Sequence, residues 1–157
     1  GVMAHDPFLL PSAYPDWSKA LPLPDLLRAS DFVVVTAPLT PETQHLMGAE
    51  QFALMKPSAY LINIARGPLV DEMALLAALT EGRIAGAGLD VWEKEPVRPD
   101  HPLLAMENVI GTPHRLGATV ESLQATCGSI QANLLRVVRG ERPEHAVNPK
   151  VFQGESR

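Results

Sequence analysis

The chain has 157 residues, a length that suits one domain with a substantial core. Its formal net charge of −5 offers no basic surface for nucleic acid, and no uninterrupted apolar run is long enough to cross a bilayer. The single cysteine, Cys127, excludes an internal disulfide framework and fits a reducing, cytoplasmic setting, where it is expected to be a small core residue on a helix.

Residues 1–6 lack the charged-then-apolar layout of a signal peptide, and Val2-Met-Ala-His5 reads as the end of a short strand. Residues 7–24 carry Pro7, Pro11, Pro15, Pro22 and Pro24, which leaves little room for long regular structure. The aromatics Phe8, Tyr14 and Trp17 imply that this connection packs on something. Residues 24–30 predict a brief helix. Residues 31–36, apolar and β-branched, predict a strand covered on both faces. Thr40-Pro41 offers a helix start, with the hydroxyl as cap and proline at the first position. A short helix is expected around 49–55 and a strand over 59–64. Asp71 then caps a helix through Leu75, Leu76 and Leu79 that stops near Gly82.

Residues 84–90 predict a glycine-rich strand, open to close approach by a ligand or a neighbouring backbone. Residues 108–112 are the last strand. A long helix fits 118–139, where Val120, Leu123, Ile130, Leu134 and Val137 fall near helical spacing and Gly140 follows. Residues 154–157 are expected to fray. Strands alternating with helices imply an open parallel α/β sheet, and such sheets bind ligands outside the carboxyl ends of their strands. Asp6, Ala37, Arg66, Asp90, Glu95 and His114 all lie at or just beyond those ends.

An arginine at the end of a buried strand needs an anionic or carbonyl partner. Arg66 is therefore either a guanidinium fork for a carboxylate ligand or half of a salt bridge to Asp71 or Glu72. His114 at a strand end is suited to give a proton to a carbonyl oxygen; a lone histidine is otherwise a surface or satisfied core residue. His5, His45, His101 and His145 take that second reading, and no pair of histidines has metal-ligand spacing. A carboxylate on His114 fixes the ring and favours its charged form, and both Glu93 and Glu95 are available. Asp90 either bonds a ligand at the strand ends or caps the next turn. Asp6 fits the ribose-binding acid of a dinucleotide fold, and an Asp-Pro after a strand is also a plain turn signal.

The segments Asn63-Ile-Ala-Arg-Gly-Pro-Leu-Val-Asp-Glu72, Gly86-Ala-Gly-Leu-Asp-Val-Trp-Glu-Lys-Glu-Pro96 and Thr112-Pro-His-Arg-Leu-Gly-Ala-Thr119 together resemble the NAD-binding domain of the D-isomer-specific 2-hydroxyacid dehydrogenases. The likeness extends from Val2-Met-Ala-His-Asp-Pro7 to Gly140-Glu-Arg-Pro-Glu-His-Ala-Val-Asn148. It implies an α/β fold with a Rossmann-like doubly wound parallel sheet over residues 1–150, followed by a tail over 151–157. It implies an oxidoreductase that uses NAD to interconvert a D-2-hydroxy acid and a 2-keto acid, working as a homodimer when complete, with no nucleic-acid or membrane partner and no metal. The catalytic residues it implies are Arg66, Glu95 and His114. Glu95 is favoured over Glu93 because it directly precedes Pro96, as the matching acid does in the family. The implied cofactor contacts are Asp6, Ala37, Pro38, Ile64, Ala65, Arg66, Asp90, His114 and Gly117. An acid at Asp6 would favour NAD over NADP by repelling a ribose 2′-phosphate.

One departure is plain. The family carries a Gly-x-Gly-x-x-Gly turn about 20 residues before the ribose-binding acid, and Asp6 is too near the start for one. The expectation is a fragment without the fold's first strand, first helix and substrate domain. It would have an open slot between the strand ending at Asp6 and the strand ending at Ile64. Such a chain is expected to be marginally stable, to bind NAD weakly and to show no turnover alone. Two rival readings are a dinucleotide-sensing, corepressor-like binding module and an inactive remnant.

Overall fold

The computed structural model describes residues 1–152; the expected fraying at 154–157 lies outside the described residues. Residues Gly1–Arg115 form one compact unit, and a second begins at Leu116.

The first unit contains six strands, and every pairing is parallel. Strand β1 (Val2–Ala4) pairs with β2 (Ser18–Ala20) in a two-stranded sheet. β2 lies inside the proline-rich connection. It is three residues long, fits between Pro15 and Pro22, and leaves both prolines outside the ladder. The Tyr14 hydroxyl accepts the Asp6 N–H at 2.8 Å and closes the loop between the two strands. Helix α1 (Leu23–Ala29) follows, with Pro24 in its first turn.

A four-stranded sheet has the order β3 (Phe32–Val35), β4 (Tyr60–Asn63), β5 (Gly86–Leu89), β6 (Val109–Gly111). Helix α2 (Ala49–Leu54) joins β3 to β4, and α3 (Glu72–Thr80) joins β4 to β5. The register Val33↔Leu61↔Ala87 puts those side chains on one face, where they meet Leu27 of α1, Phe52 of α2 and Leu75 and Leu79 of α3 in a single core. Side chains alternate along each strand, so Phe32, Val34, Tyr60 and Ile110 share the opposite face and are exposed. β3 is thus covered on one face, not both. An apolar run cannot distinguish the two cases, because it lacks the polar alternation that would mark an open face.

The expected slot also moves. β4 is bonded on both sides, by β3 and β5, so the open edge belongs to β3. With β2 as a strand in its own right, β3 takes the place in the strand order that was given to the strand ending at Ile64. Thr40-Pro41 starts a turn rather than a helix. The Thr43 hydroxyl donates to the Pro38 carbonyl at 2.8 Å and accepts the Thr40 N–H at 2.7 Å, which ties the chain into a local knot of bonds. Close approach at the glycine-rich strand is real at Gly86, where a Cβ would lie 2.5 Å from the Asn108 carbonyl oxygen.

The second unit is built on α4 (Val120–Val138). The Thr119 hydroxyl caps it by accepting the Ser122 N–H at 3.1 Å, and Gly140 follows with φ of 73°. Val120, Leu123, Ile130, Leu134 and Val137 are exposed. So is Cys127, which corrects the expectation of a core residue. Helical spacing sets which residues share a face, and it does not say whether that face is covered. Among the described residues, no helix is long and apolar enough to cross a membrane.

Candidate functional site

The site is assembled from the segments that leave β4, β5 and β6. Beyond β4, the buried Asn63 folds the turn: its Nδ2 donates to the Arg66 carbonyl at 2.9 Å, and its Oδ1 accepts the Ala65 N–H at 3.2 Å. Arg66 is exposed, and its Nη1 donates to the Ala65 carbonyl at 2.6 Å. Neither rival acid pairs with it. Asp71 caps α3 through the Ala74 N–H, and Glu72 faces Glu93 and His101. Gly67, next in the chain, lies flat on the segment leaving β5, where a Cβ would fall 1.9 Å from the carbonyl carbon and oxygen of Trp92. Only glycine permits that approach.

Beyond β5, Asp90 is buried and brackets the segment that follows β6. Its Oδ1 accepts the Thr112 hydroxyl at 2.6 Å and the Arg115 N–H at 2.8 Å, and its carbonyl accepts the His114 N–H at 2.8 Å. His114 is held with φ of 53°, in the left-handed region that histidine enters more often than most residues. Trp92, also buried, donates its Nε1–H to the Thr112 carbonyl at 3.0 Å.

Glu95 closes the arrangement. Its Oε1 accepts the Trp92 N–H at 3.1 Å, and its Oε2 lies 2.9 Å from His114 Nδ1. Glu95, not Glu93, is therefore the carboxylate on the imidazole. The His114 hydrogen bond, then the Trp92 amide, hold the Glu95 carboxyl below the usual carboxylate range; the charges of His114 and Arg66 act in the same direction. Arg66, Glu95 and His114 thus share one electrostatic neighbourhood.

Beside Arg66, an open concavity of about 450 Å³ sits at the carboxyl ends of β3 and β4, lined by Thr36, Ala37, Pro38, Leu39, Ala65 and Arg66. Ile64, half exposed just past β4, does not line it. Asp6 lies beyond β1 on the other sheet, where its Oδ1 accepts the Phe8 N–H at 2.9 Å in a local turn. Gly117 belongs to the second unit, in the lead-in to α4, where its carbonyl accepts the Thr119 N–H at 3.1 Å. Among the described residues, no group of three or more histidines, cysteines or acids is arranged to hold a metal.

Sequence reasoning gave His45 and His101 the reading of surface or satisfied core residues, and weighed Glu72 and Glu93 only as partners for Arg66 and His114. The structure gathers them at the start of α3, where Glu72 and Glu93 bond each other's amides. The pairing spans 21 residues and has no local signature.

A parallel α/β sheet with a histidine–carboxylate pair and an arginine at its strand ends is the architecture of an α/β ligand-binding domain, with the candidate site where open sheets of this kind bind their ligands. The profile of the D-isomer-specific 2-hydroxyacid dehydrogenase NAD-binding domain matches residues 1–115, and the chain belongs to that family. Glyoxylate/hydroxypyruvate reductase B of Shigella boydii is 52% identical over 129 residues, covering 82% of this chain and 40% of the relative. The chain therefore spans about two-fifths of the length of the curated relatives it matches. D-lactate dehydrogenase from Lactobacillus jensenii, solved with NAD+, superposes with a TM-score of 0.84 at 34% identity, over 93% of this chain and 48% of that one. A D-isomer-specific 2-hydroxyacid dehydrogenase from Xanthobacter autotrophicus Py2, solved with NADPH and MES, has a TM-score of 0.72 at 40% identity, over 95% and 60%. The fold is thus the Rossmann-like one expected, and the family's cofactor is NAD.

Proposed function

We propose that residues 1–150 are the cofactor-binding and acid–base portion of an NAD-dependent D-2-hydroxyacid dehydrogenase. The observation that carries this reading is the 2.9 Å contact between Glu95 Oε2 and His114 Nδ1, with the Arg66 charge beside it.

The concavity fits a flat, largely apolar ring, because Ala37, Pro38 and Ala65 are small and keep it open beside Arg66. These residues, with Ile64 and Asp90, would hold the nicotinamide end, and Asp6 would hold the adenosine ribose. When bound, the nicotinamide supplies or accepts the hydride. The chain's own groups do the rest. Arg66 binds the carboxylate of a 2-keto acid and draws charge toward its carbonyl oxygen. His114, held through Nδ1 by Glu95, gives a proton from Nε2 to that oxygen as the carbonyl carbon becomes C–H. In the reverse direction it takes the proton back from the hydroxyl. Glu95, bonded at Nδ1, keeps the ring oriented.

The substrate in this reading is a small 2-keto or 2-hydroxy acid, which the likeness to the family supports; the complete protein would be a cytoplasmic homodimer. A steady-state assay of the complete protein on glyoxylate, hydroxypyruvate and pyruvate tests the activity. His114→Ala is expected to lower kcat by roughly 10²–10⁴-fold, and a kcat near that of the parent removes His114 from proton transfer. The same assay reads Asp6: NADH is expected to be preferred over NADPH, and equal use contradicts the ribose assignment. Tight NAD binding without turnover on any of these acids would favour a dinucleotide-sensing module.

A further inference from the structure

Glu72 opens α3, and Glu93 lies in the segment that leads from β5 to Glu95. The two residues exchange hydrogen bonds. The Glu72 N–H donates to Glu93 Oε1 at 3.1 Å, and the Glu93 N–H donates to Glu72 Oε1 at 2.8 Å. Two carboxylates brought together repel unless positive charge or donors face them. Here His101 Nε2 lies 3.1 Å from Glu72 Oε2, and His45 Nε2 lies 3.1 Å from Glu93 Oε1. Asp71 Oδ2 stands 4.0 Å from the other nitrogen of His45. Glu72 is the more enclosed of the two glutamates, with 14% of its side chain exposed.

Capping does not explain this arrangement. Asp71 already caps α3, with its Oδ1 on the Ala74 N–H at 3.0 Å, and the Glu72 side chain leaves the helix to reach another segment. What it grips is the main chain beside Trp92. His101, the partner of Glu72, also meets the Trp92 ring edge-on at 5.3 Å. Gly67 presses on the Trp92 carbonyl from the Arg66 side. Trp92 is therefore held at its ring, its carbonyl and the next amide. Its own N–H is the donor to Glu95 Oε1. A glutamate as exposed as Glu95 would sample several rotamers; pinning one oxygen on a fixed amide leaves the other directed at His114.

We propose that Glu72 is a positioning residue: by fixing the Glu93 amide it aims the Trp92 N–H at Glu95 and so keeps the carboxylate seated on His114. The inference rests on the reading of Glu95 and His114 as the acid–base pair, and its test separates the two.

The test is a carbon-detected NMR titration of the Glu95 carboxyl in the 157-residue chain, with amide exchange measured at Glu93. The charged and polar groups facing Glu95 are His114, Arg66 and the Trp92 amide. In Glu72→Ala, exchange at the Glu93 amide is expected to quicken about tenfold or more, since a charge-assisted hydrogen bond is lost. The Glu95 midpoint is expected to rise toward the ordinary glutamate range. Glu72→Gln keeps an acceptor oxygen and is expected to restore most of both readings. If Glu72→Ala fails to fold, Glu72→Asp keeps the charge at the helix start, shortens the reach and is read in the same way. A Glu93 amide set free while the Glu95 midpoint stays put overturns the positioning role. His114→Ala reads the underlying pair, because loss of its hydrogen bond must raise the Glu95 midpoint. An unmoved midpoint in His114→Ala removes the pair itself, and the positioning role falls with it.

Discussion

The segments beyond β5 and β6 and the two-stranded sheet at the amino terminus both grow from parallel ladders, yet they are built differently. Between Asp90 and Arg115, side chains reach across segments: Asp90 to Thr112 and Arg115, Trp92 to Thr112, Glu95 to His114. Around β1 and β2 the side-chain bonds lie at exposed positions: Tyr14 meets the Asp6 main chain, and His5 Nδ1 lies 3.0 Å from the Leu21 carbonyl. Asp6 turns back on Phe8, and Phe8 and Trp17 are 92% and 70% exposed. Cross-segment bonds fix the spacing between elements, whereas local bonds fix only the shape of one turn. The acid–base end of the site is therefore preorganised by the chain's own core, and the proposed ribose end is shaped by a few exposed bonds around one loop.

Gly67→Ala strikes this contrast hardest. The added Cβ would meet the Trp92 main chain at 1.9 Å, and neither backbone can yield without parting the Arg66 and Glu95 segments. Overpacking typically costs about 1–3 kcal/mol, and a clash between backbones belongs at or above the top of that range. Chemical denaturation measures it, and a loss below about 1 kcal/mol would mean the segments are looser than described.

A smaller effect tests the seat of Glu95. Its carboxyl is held below the ordinary value of 4.5 in the folded chain by the His114 hydrogen bond and then the Trp92 amide. Above 4.5 the carboxylate is ionised in both folded and unfolded states, and its contribution to stability is fully present. As pH falls below 4.5 the unfolded chain takes up the proton first, and the contribution is lost as pH falls through the lowered folded value. Glu95→Gln is expected to flatten that part of the acid limb in thermal melts run across the window. An unchanged slope would show that the carboxylate is not held as described.

The smallest effect belongs to the amino-terminal sheet. Trp17→Ser, at an exposed position, is expected to shift stability by no more than about 0.5 kcal/mol in the same denaturation experiment. A larger loss would show that this region depends on packing beyond its local turns.

How far the sequence revealed this molecule follows from the same contrast. Arg66, Glu95 and His114 were legible because each lies just after a strand-like run, and a parallel sheet brings strand ends together. The family pattern separated Glu95 from Glu93, which local composition does not. β2 escaped notice because three residues between prolines carry no periodicity to read. The start at Thr40-Pro41 satisfies every local rule for a helix, and the Thr43 hydroxyl overrides them. The grip of Glu72 on Glu93 joins residues 21 apart, and only the folded chain makes them neighbours. Burial was the least legible quantity: the same apolar spacing gives a covered row at Leu75 and Leu79 and an exposed one at Ile130 and Leu134.

His45 and His114, both with φ of 53°, bear on any attempt to transplant this chemistry. Their imidazoles reach Glu93 and Glu95 from a left-handed main chain, so the side-chain positions are decided one bond earlier than the side chain. A designer who copied only the histidine and the glutamate onto an extended loop would aim the ring along a different vector and lose the contact. The portable unit is the whole turn from Thr112 to Arg115 together with the buried aspartate that brackets it.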